Sequence, residues 1–346
     1  MDIIKQDIRR LSLEDLRTFF KEQSQQPFRG NQVYQWLWQK GAHTFEQMTN
    51  LSLETRALLQ EHFVINHIRV DQMQKSSDGT IKNAVRLHDD LIVESVLIPT
   101  KTRTTACVSS QVGCSLDCTF CATARLKRMR NLNPDEIYDQ VMAIHQESLL
   151  YYDRPLSNIV FMGMGEPLMN YNNVLQAIDM ITGDQGLSMS PKRITLSTSG
   201  VPKMMKKLAD DGVKFHLALS LHSAIQEKRQ VIMPFAERFI LDDVLEALIY
   251  WYEKTKRRVT FEYIVWDGFN DTDRDIAALV KFCKKVPCKV NIIEYNAIDD
   301  GEFKQAAPHR VAAYTQALEQ ARIPVTVRRS RGDDIDAACG QLANKH

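Results

Sequence analysis

The spacing of apolar residues changes along the chain and divides it into two parts. In the first 70 or so residues, apolar side chains recur at helical spacing. One such segment follows Ser12, a good helix cap, and carries Leu16 and Phe20 on one face. Two more helices are predicted over residues 32–39 and 53–63. This part of the chain is therefore predicted to be mainly helical.

A β-hairpin is predicted at the end of the helical part. A turn signal at residues 76–79 is followed by two alternating segments, 81–87 and 91–99, which His88-Asp89-Asp90 separates. We expect residues 1–100 to form a small helical domain that ends in this hairpin.

The second part, residues 101–346, alternates strands with amphipathic helices. This order is typical of a parallel sheet with crossover helices. No glycine-rich fingerprint follows the first strand, so an α/β fold with a partial or near-complete βα barrel is favoured over a Rossmann sheet. Such barrels carry their chemistry at the carboxyl ends of the strands. The predicted strands are 105–110, 158–163, 193–200, 215–222, 259–265, 289–296 and 324–330, and the predicted helices include 134–149, 241–256 and 310–321.

Length and composition are those of a globular protein. With 346 residues, 44% of them hydrophobic, the chain suits one large domain and a small one. It has neither an apolar run long enough for a bilayer nor a signal-peptide core, so we expect a soluble, cytoplasmic protein without membrane association.

Charge gives a local signal only, because the net charge is +1. Two basic clusters suit either phosphate contacts or an ordinary solvated surface. They comprise Arg125, Lys127, Arg128 and Arg130, and Arg328, Arg329 and Arg331.

Three of the seven cysteines form a metal-binding pattern just after the first strand of the barrel. Cys114, Cys118 and Cys121 have the spacing Cys-x3-Cys-x2-Cys, with Phe120 before the last. Three thiolates in a short loop can bind three irons of a [4Fe–4S] cube and leave the fourth iron open. The alternative is a structural zinc site, which normally has four ligands and paired Cys-x2-Cys motifs. A disulfide framework is not expected without a secretion signal.

The chain resembles the radical SAM (S-adenosylmethionine) superfamily in this triplet, and more closely the RlmN/Cfr family of RNA adenine methyltransferases. The resemblance runs along nearly the whole chain. It implies a [4Fe–4S] cluster on the triplet, SAM as cofactor, and an electron donor of the flavodoxin or ferredoxin type. It also implies a monomer that acts on 23S rRNA, with tRNA left open as a second substrate, and RNA contacts by the N-terminal domain. The motifs are PFRGNQVYQWLW (27–38), CVSSQVGC (107–114), GMGEPLMN (163–170), STSG (197–200) and RGDDIDAACGQL (331–342).

The same resemblance implies the residues that bind SAM. From the residues alone, GMGEP is either an ordinary turn or a loop that lets a ligand approach the backbone. By resemblance, Gly165 and Glu166 contact the amino group of SAM. The remaining matched positions are Ser197, Ser220, Leu221, His222 and Asn296.

Two further cysteines, Cys107 and Cys339, belong to no metal-ligand spacing. By themselves they are interpreted as buried, inert thiols, and Cys283 and Cys288 keep that interpretation. The resemblance implies instead that Cys339 is methylated by SAM and that Cys107 later forms a transient disulfide with it.

Glu94 matches the family position of a base that removes the proton from the adenine carbon. It is predicted to lie on the same strand face as Ile92, Val96 and Ile98, and a carboxylate on an apolar face suits proton transfer. The alternative is an ion pair with Arg86 or Arg103.

Some points of the resemblance stay open. The stretch after the triplet, residues 122–130, is basic where most relatives carry glycine. Pro167 favours the RlmN branch, which methylates adenine C2, over the Cfr branch, which methylates C8. Two further functions also stay open: a radical SAM enzyme with another substrate, and a zinc-stabilised RNA-binding module without catalysis.

Overall fold

The computed structural model describes residues 5–299 and 301–344. These residues form a ten-stranded sheet and ten α-helices. The strands are β1 Arg69–Lys75, β2 Ile81–Arg86, β3 Ile92–Pro99, β4 Thr104–Cys107, β5 Asn158–Phe161, β6 Ile194–Thr198, β7 His216–Ser220, β8 Val259–Ile264, β9 Cys288–Ile293 and β10 Val325–Arg328. The helices are α1 Leu13–Glu22, α2 Phe28–Trp38, α3 Leu53–His62, α4 Pro134–Tyr152, α5 Tyr171–Thr182, α6 Pro202–Asp210, α7 Gln226–Ile232, α8 Leu241–Thr255, α9 Asp273–Cys283 and α10 Pro308–Gln320.

The strands lie side by side in the order in which they occur along the chain. Strands β4 to β10 are parallel, whereas β1, β2, β3 and β4 pair antiparallel. In the described residues the sheet ends at β1 and β10 and does not close. The predicted α/β fold is confirmed, in the form of a partial barrel.

The predicted helices are present, with small differences at their ends. Helix α1 begins after Ser12 with a capping box to Asp15, which satisfies two backbone donors. Helix α2 begins at Phe28, earlier than predicted, because Pro27 already has a helical backbone angle. No helix in the described residues is long and apolar enough to cross a membrane.

The predicted hairpin is present as β2 and β3, and both strands belong to the large sheet. Strand β3 pairs with β4, so that Val96 lies opposite Cys107. The sheet therefore crosses the domain boundary that the sequence predicts near residue 100. That boundary itself stays a prediction.

Arg9 joins the N-terminal segment to the barrel helix α4. Its guanidinium donates two 2.8 Å hydrogen bonds to Asp139 and one of 3.2 Å to Asp135, and all three side chains are largely buried. Burial alone would lower the pKa of Arg9, but the charges of Asp139 and Asp135 outweigh it and raise the pKa. The contact between the two parts therefore includes a buried ionic network.

We expect Arg9→Met to destabilise the protein by about 3–5 kcal/mol, because it leaves buried carboxylates without a cation. The matched control is Arg10→Met. Arg10 is exposed and lies 3.6 Å from Asp135, so its loss should cost about 1 kcal/mol or less. Urea unfolding of both variants measures the difference, and equal losses would contradict the assignment.

Candidate active site

A cavity opens at the carboxyl ends of the parallel strands, with about 1560 Å³ of empty space including its mouth. Its wall runs from Cys107 at the end of β4 to Arg328 at the end of β10, so the sheet curves enough for the first and last parallel strands to face one space. Barrel folds bind their ligands at this end. The predicted site residues in the wall are Cys107, Cys114, Cys118, Cys121, Gly165, Glu166, Ser197, Ser220, His222 and Cys339.

The loop that carries the cysteine triplet is held by the basic stretch that follows it. Cys114 forms a β-bridge with Lys127. Gly113 has a φ of +72°, and a Cβ there would lie 2.5 Å from the Lys127 carbonyl oxygen. On the other side, the Thr119 amide donates to the Ile232 carbonyl at 3.0 Å. This loop is therefore fixed on two sides.

The three thiols of the triplet suit iron. Burial raises the pKa of Cys114 to about 11 and also raises the pKa values of Cys118 and Cys121, so their thiolates need a cationic partner. A single metal ion needs three or more ligands around one point, and no group of three His, Cys, Asp or Glu side chains in the described residues is arranged in that way. A cube differs because each thiolate binds its own iron. The donor set fits a [4Fe–4S] cluster on the triplet.

Phe120, just before the last cysteine of the triplet, packs its ring among other aromatic side chains. It meets His222 edge to face at 4.8 Å and lies 5.3 Å from Trp266. Such contacts stabilise a loop beyond the area that they bury. The aromatic residue in the motif thus fixes the loop against β7 and the segment after β8.

The glycine loop that follows β5 packs closely on Gln111, in the segment between β4 and the cysteine triplet. Gly165 has a φ of +93°, and a Cβ there would lie 2.5 Å from the Gln111 Cβ. The amide of Glu166 donates to the Gln111 side chain at 2.9 Å. A side chain at position 165 would push this loop away from its neighbour, so glycine is required.

The carboxylate of Glu166 is buried and held by backbone amides. It accepts hydrogen bonds from Leu168 at 3.1 Å and from Ser199 at 2.8 Å. Burial raises its pKa, and the hydrogen bonds from Ser199, Thr198 and Leu168 oppose that rise. An ammonium group in the cavity would give this carboxylate a positive partner.

Polar residues at the ends of β6 and β7 lie beside this carboxylate. The Ser197 and Ser220 hydroxyl oxygens are 3.4 Å apart. His222 has a φ of +54°, and burial, followed by the nearby charge of Arg229, lowers its pKa to about 3. This histidine is therefore neutral and serves as an acceptor, 3.3 Å from the Ile264 amide.

Two residues matched to SAM binding are not in the cavity wall. Leu221 is completely buried. Asn296 donates its side-chain amide to the Cys339 carbonyl at 3.1 Å, which supports the loop of that cysteine.

Cys107 and Cys339 face the same cavity and both are free thiols. Burial raises the pKa of Cys107 to about 12, and the neighbouring Cys339 adds to the rise. Cys339 is enclosed by protein, which raises its pKa to about 11, yet solvent in the cavity reaches its side chain. The structure thus brings together two thiols that lie far apart in the sequence.

Glu94 lies outside the cavity wall and is completely buried. Its carboxylate lies 3.2 Å from the Lys82 ammonium. The alternative of an ion pair with Arg86 or Arg103 is wrong, because the cation beside Glu94 is Lys82 and Arg86 pairs with Asp71 instead.

Three charged residues surround the cavity; the sequence singled out Arg328 only as a member of a basic cluster, and it did not predict Glu262 or Arg229. Glu262 and Arg328 line the cavity, with their charged groups 3.5 Å apart. Arg229 is buried behind it and donates to the Ser199 carbonyl at 2.5 Å. Burial lowers the pKa of Arg229 to about 10, and Cys118 opposes this. A charged residue inside an apolar strand, as in VTFEYIV, was the available signal for Glu262.

The basic clusters divide into paired and exposed members. Arg130 pairs with Asp89 and Glu136, and Arg331 pairs with Asp78. Lys127 and Arg128 are exposed on the surface. Arg328 and Arg329 line the cavity.

Comparisons with known proteins show the family of this chain. The ribosomal RNA large subunit methyltransferase N-terminal domain matches residues 6–65, and the radical SAM superfamily matches residues 108–280. A probable dual-specificity RNA methyltransferase RlmN of Flavobacterium johnsoniae is 70% identical over 345 residues, which cover 100% of this chain and 99% of the relative. The chain belongs to the RlmN family of radical SAM RNA methyltransferases.

One further relative and one solved structure extend the comparison. The dual-specificity RNA methyltransferase RlmN of Nitratidesulfovibrio vulgaris is 43% identical, over 97% of this chain and 94% of the relative. The crystal structure of a radical SAM methyltransferase from Sphaerobacter thermophilus superimposes with a TM-score of 0.92 at 34% identity. It covers 98% of this chain and 100% of that one. As an RlmN-family enzyme, the protein uses a [4Fe–4S] cluster and SAM.

We expect Gly165→Ala to weaken SAM binding by about tenfold to hundredfold, because the clash with Gln111 shifts the loop at a cost of about 1–3 kcal/mol. Gly212→Ala is the matched control. Gly212 also has a positive φ, +63°, but no atom of the described residues lies within 4 Å of its added Cβ. Equilibrium dialysis with the cluster-loaded enzyme measures both affinities, and equal affinities would contradict the role of the close contact.

Proposed function

We propose that the protein makes 2-methyladenosine in 23S rRNA and in tRNA, with Cys339 and Cys107 as its reacting thiols. The observation that carries this proposal is the cavity itself, whose wall holds both thiols together with the cysteine triplet. The names of the curated relatives, dual-specificity RNA methyltransferases, support the two RNA substrates.

The chemistry explains why a second thiol is needed. Adenine C2 is electron-poor, and the methyl group of SAM is itself an electrophile, so direct displacement fails. The methyl group is therefore carried first by the Cys339 sulfur. Cys114, Cys118 and Cys121 would hold the cluster, which together with a second SAM would supply a 5′-deoxyadenosyl radical able to take a hydrogen atom from that methyl group.

The protein's own residues then complete the transfer. The methylene carbon on Cys339 bonds to adenine, which joins RNA covalently to the protein. The adduct then loses its unpaired electron to the one-electron carrier and the C2 proton to a base. The Cys107 thiolate attacks the Cys339 sulfur, so that an S–S bond forms while the bond between sulfur and the transferred carbon breaks, and this carbon takes up a proton to complete the methyl group. This exchange requires two thiols within reach of each other, as cavity neighbours are.

Two partners follow from this chemistry. Cleavage of SAM needs a single electron, so the electron donor is a one-electron carrier of the flavodoxin or ferredoxin type. The proposed acting form is a monomer, since one chain carries the triplet and both reacting thiols in the same cavity wall.

The C8 alternative is not favoured. The relatives with high identity over the full chain are named as RlmN enzymes, and Pro167 follows Glu166 as in that branch. The alternative of a zinc-stabilised RNA-binding module without catalysis is likewise not favoured, because the chain matches the radical SAM superfamily.

Anaerobic turnover of 23S rRNA with methyl-deuterated SAM tests the proposal. We expect nucleoside mass spectrometry to find 2-methyladenosine that keeps two of the three deuteriums, because the methyl group on Cys339 loses one to the radical. Retention of all three would mean direct transfer, and an 8-methyl product would move the enzyme to the Cfr branch.

We expect Cys107→Ala to accumulate a covalent protein–RNA adduct, because no thiol then releases Cys339. Cys283→Ala is the matched control, since Cys283 is a buried thiol outside the cavity wall. Denaturing gels with labelled RNA detect the adduct. Free turnover by Cys107→Ala, or an equal adduct with Cys283→Ala, would remove Cys107 from the mechanism.

A further inference from the structure

Glu94 holds the chain just after Cys339 in place. Its carboxylate accepts hydrogen bonds from the Ala343 amide at 2.8 Å and from the Asn344 amide at 3.1 Å. The other carboxylate oxygen lies 3.2 Å from the Lys82 ammonium, which is also buried. A buried carboxylate is stable only when charge and hydrogen bonds compensate its lost hydration. Here the compensation comes from Lys82 and from residues 340–344.

The same segment, residues 340–344, is bonded on its other side to the loop of the cysteine triplet. The Ala122 amide donates to the Gly340 carbonyl at 2.7 Å, and the Thr123 hydroxyl donates to the Leu342 carbonyl at 2.6 Å. The segment therefore lies between the triplet loop and β3. Cys339 directly precedes it, so the position of this thiol depends on both attachments.

Strand register places Lys82 and Glu94 on one face of the hairpin. Ala84 lies opposite Glu94 in the β2–β3 pair, and Lys82 is two residues before Ala84. Side chains two residues apart on a strand share a face. The pair is therefore built into the hairpin and does not depend on the cavity, where Glu94 has no surface.

We propose that Glu94 and Lys82 together position Cys339 for its methylation by SAM. In this arrangement Glu94 is a positioning residue, because its Oε2 accepts hydrogen bonds from two backbone amides while its Oε1 makes only the ion pair with Lys82. The inference rests on the proposed function, in which the Cys339 sulfur bonds to the methyl carbon while the sulfonium C–S bond breaks. The thiol proton passes to solvent, and S-adenosylhomocysteine leaves.

This role and the role of a base at adenine affect different halves of the reaction. Methylation of Cys339 needs no RNA, so loss of an adenine base leaves its rate unchanged and stalls the later adduct. Loss of a positioning residue slows the methylation itself, because a displaced thiol meets the methyl group less often in line. A displacement of about 1 Å costs about a hundredfold in rate.

The test measures Cys339 methylation in the cluster-loaded enzyme with SAM and without RNA, by mass spectrometry of the peptide. We expect Glu94→Gln and Lys82→Met to slow it by about tenfold to hundredfold. The matched control is Arg86→Met. Arg86 is a cation on the same face of β2 as Lys82, but it pairs with Asp71 and not with Glu94. Wild-type methylation by Glu94→Gln, with a trapped RNA adduct, would overturn the proposal and identify a base.

Amide hydrogen exchange gives a second readout that needs no chemistry. We expect the Ala343 and Asn344 amides to exchange about tenfold faster in Glu94→Gln and Lys82→Met, since exchange reports local opening. If these variants do not fold, Asn344→Gly is the substitute variant. Glycine tolerates the φ of +53° at this position, and Glu94 stays in place. The variant removes only the 2.8 Å hydrogen bond from the Asn344 side chain to the Ile92 carbonyl. Unchanged exchange and methylation in Asn344→Gly would then overturn the proposal.

The outcomes separate this inference from the proposed function. If the wild-type enzyme does not methylate Cys339, the two-thiol mechanism fails. The exchange experiment then still decides whether the Glu94–Lys82 pair holds residues 340–344.

Discussion

The two hydrogen bonds between the triplet loop and residues 340–344 are the contacts on which the chemistry depends. They run from the Ala122 amide to Gly340 and from the Thr123 hydroxyl to Leu342. Strand geometry alone delivers Cys107 and the glycine loop to the cavity, because parallel strands end at one edge. It does not deliver Cys339, which lies beyond the last strand. In the proposed function one carbon passes from the SAM sulfonium to the Cys339 thiol and then to adenine, and such transfers tolerate little displacement, so these two bonds are the contacts that the proposal depends on most.

The barrel and the triplet were predictable from the sequence because both are local signals. Alternating strands and helices repeat at short range, and Cys114, Cys118 and Cys121 occupy one loop. The partner of Glu94 was not predictable in this way. Lys82 becomes its neighbour through hairpin register, and the Ala343 amide reaches it only through the path of the chain after β10. Pairings of that kind are set by tertiary geometry, which single-sequence patterns do not contain.

The charged residues buried near the cavity do not add to the stability of the fold. Glu166, Glu262 and Arg229 are all buried, and backbone groups or single polar side chains supply much of their compensation. Apolar residues of similar volume would be at least as stable in such positions. Residues that break the usual preference for an apolar interior tend to lie at functional sites. The distribution of buried charge therefore marks the same wall that the cysteines mark.

The strand order has a consequence for synthesis on the ribosome. Each strand of the sheet pairs with the one made just before it, so the sheet can grow from β1 to β10 as the chain emerges. Cys339 and residues 340–344 come after all of them. The part of the cavity wall that encloses the triplet from this side can therefore be added only after the strands have been made. Vectorial folding thus makes the catalyst complete only at its last step.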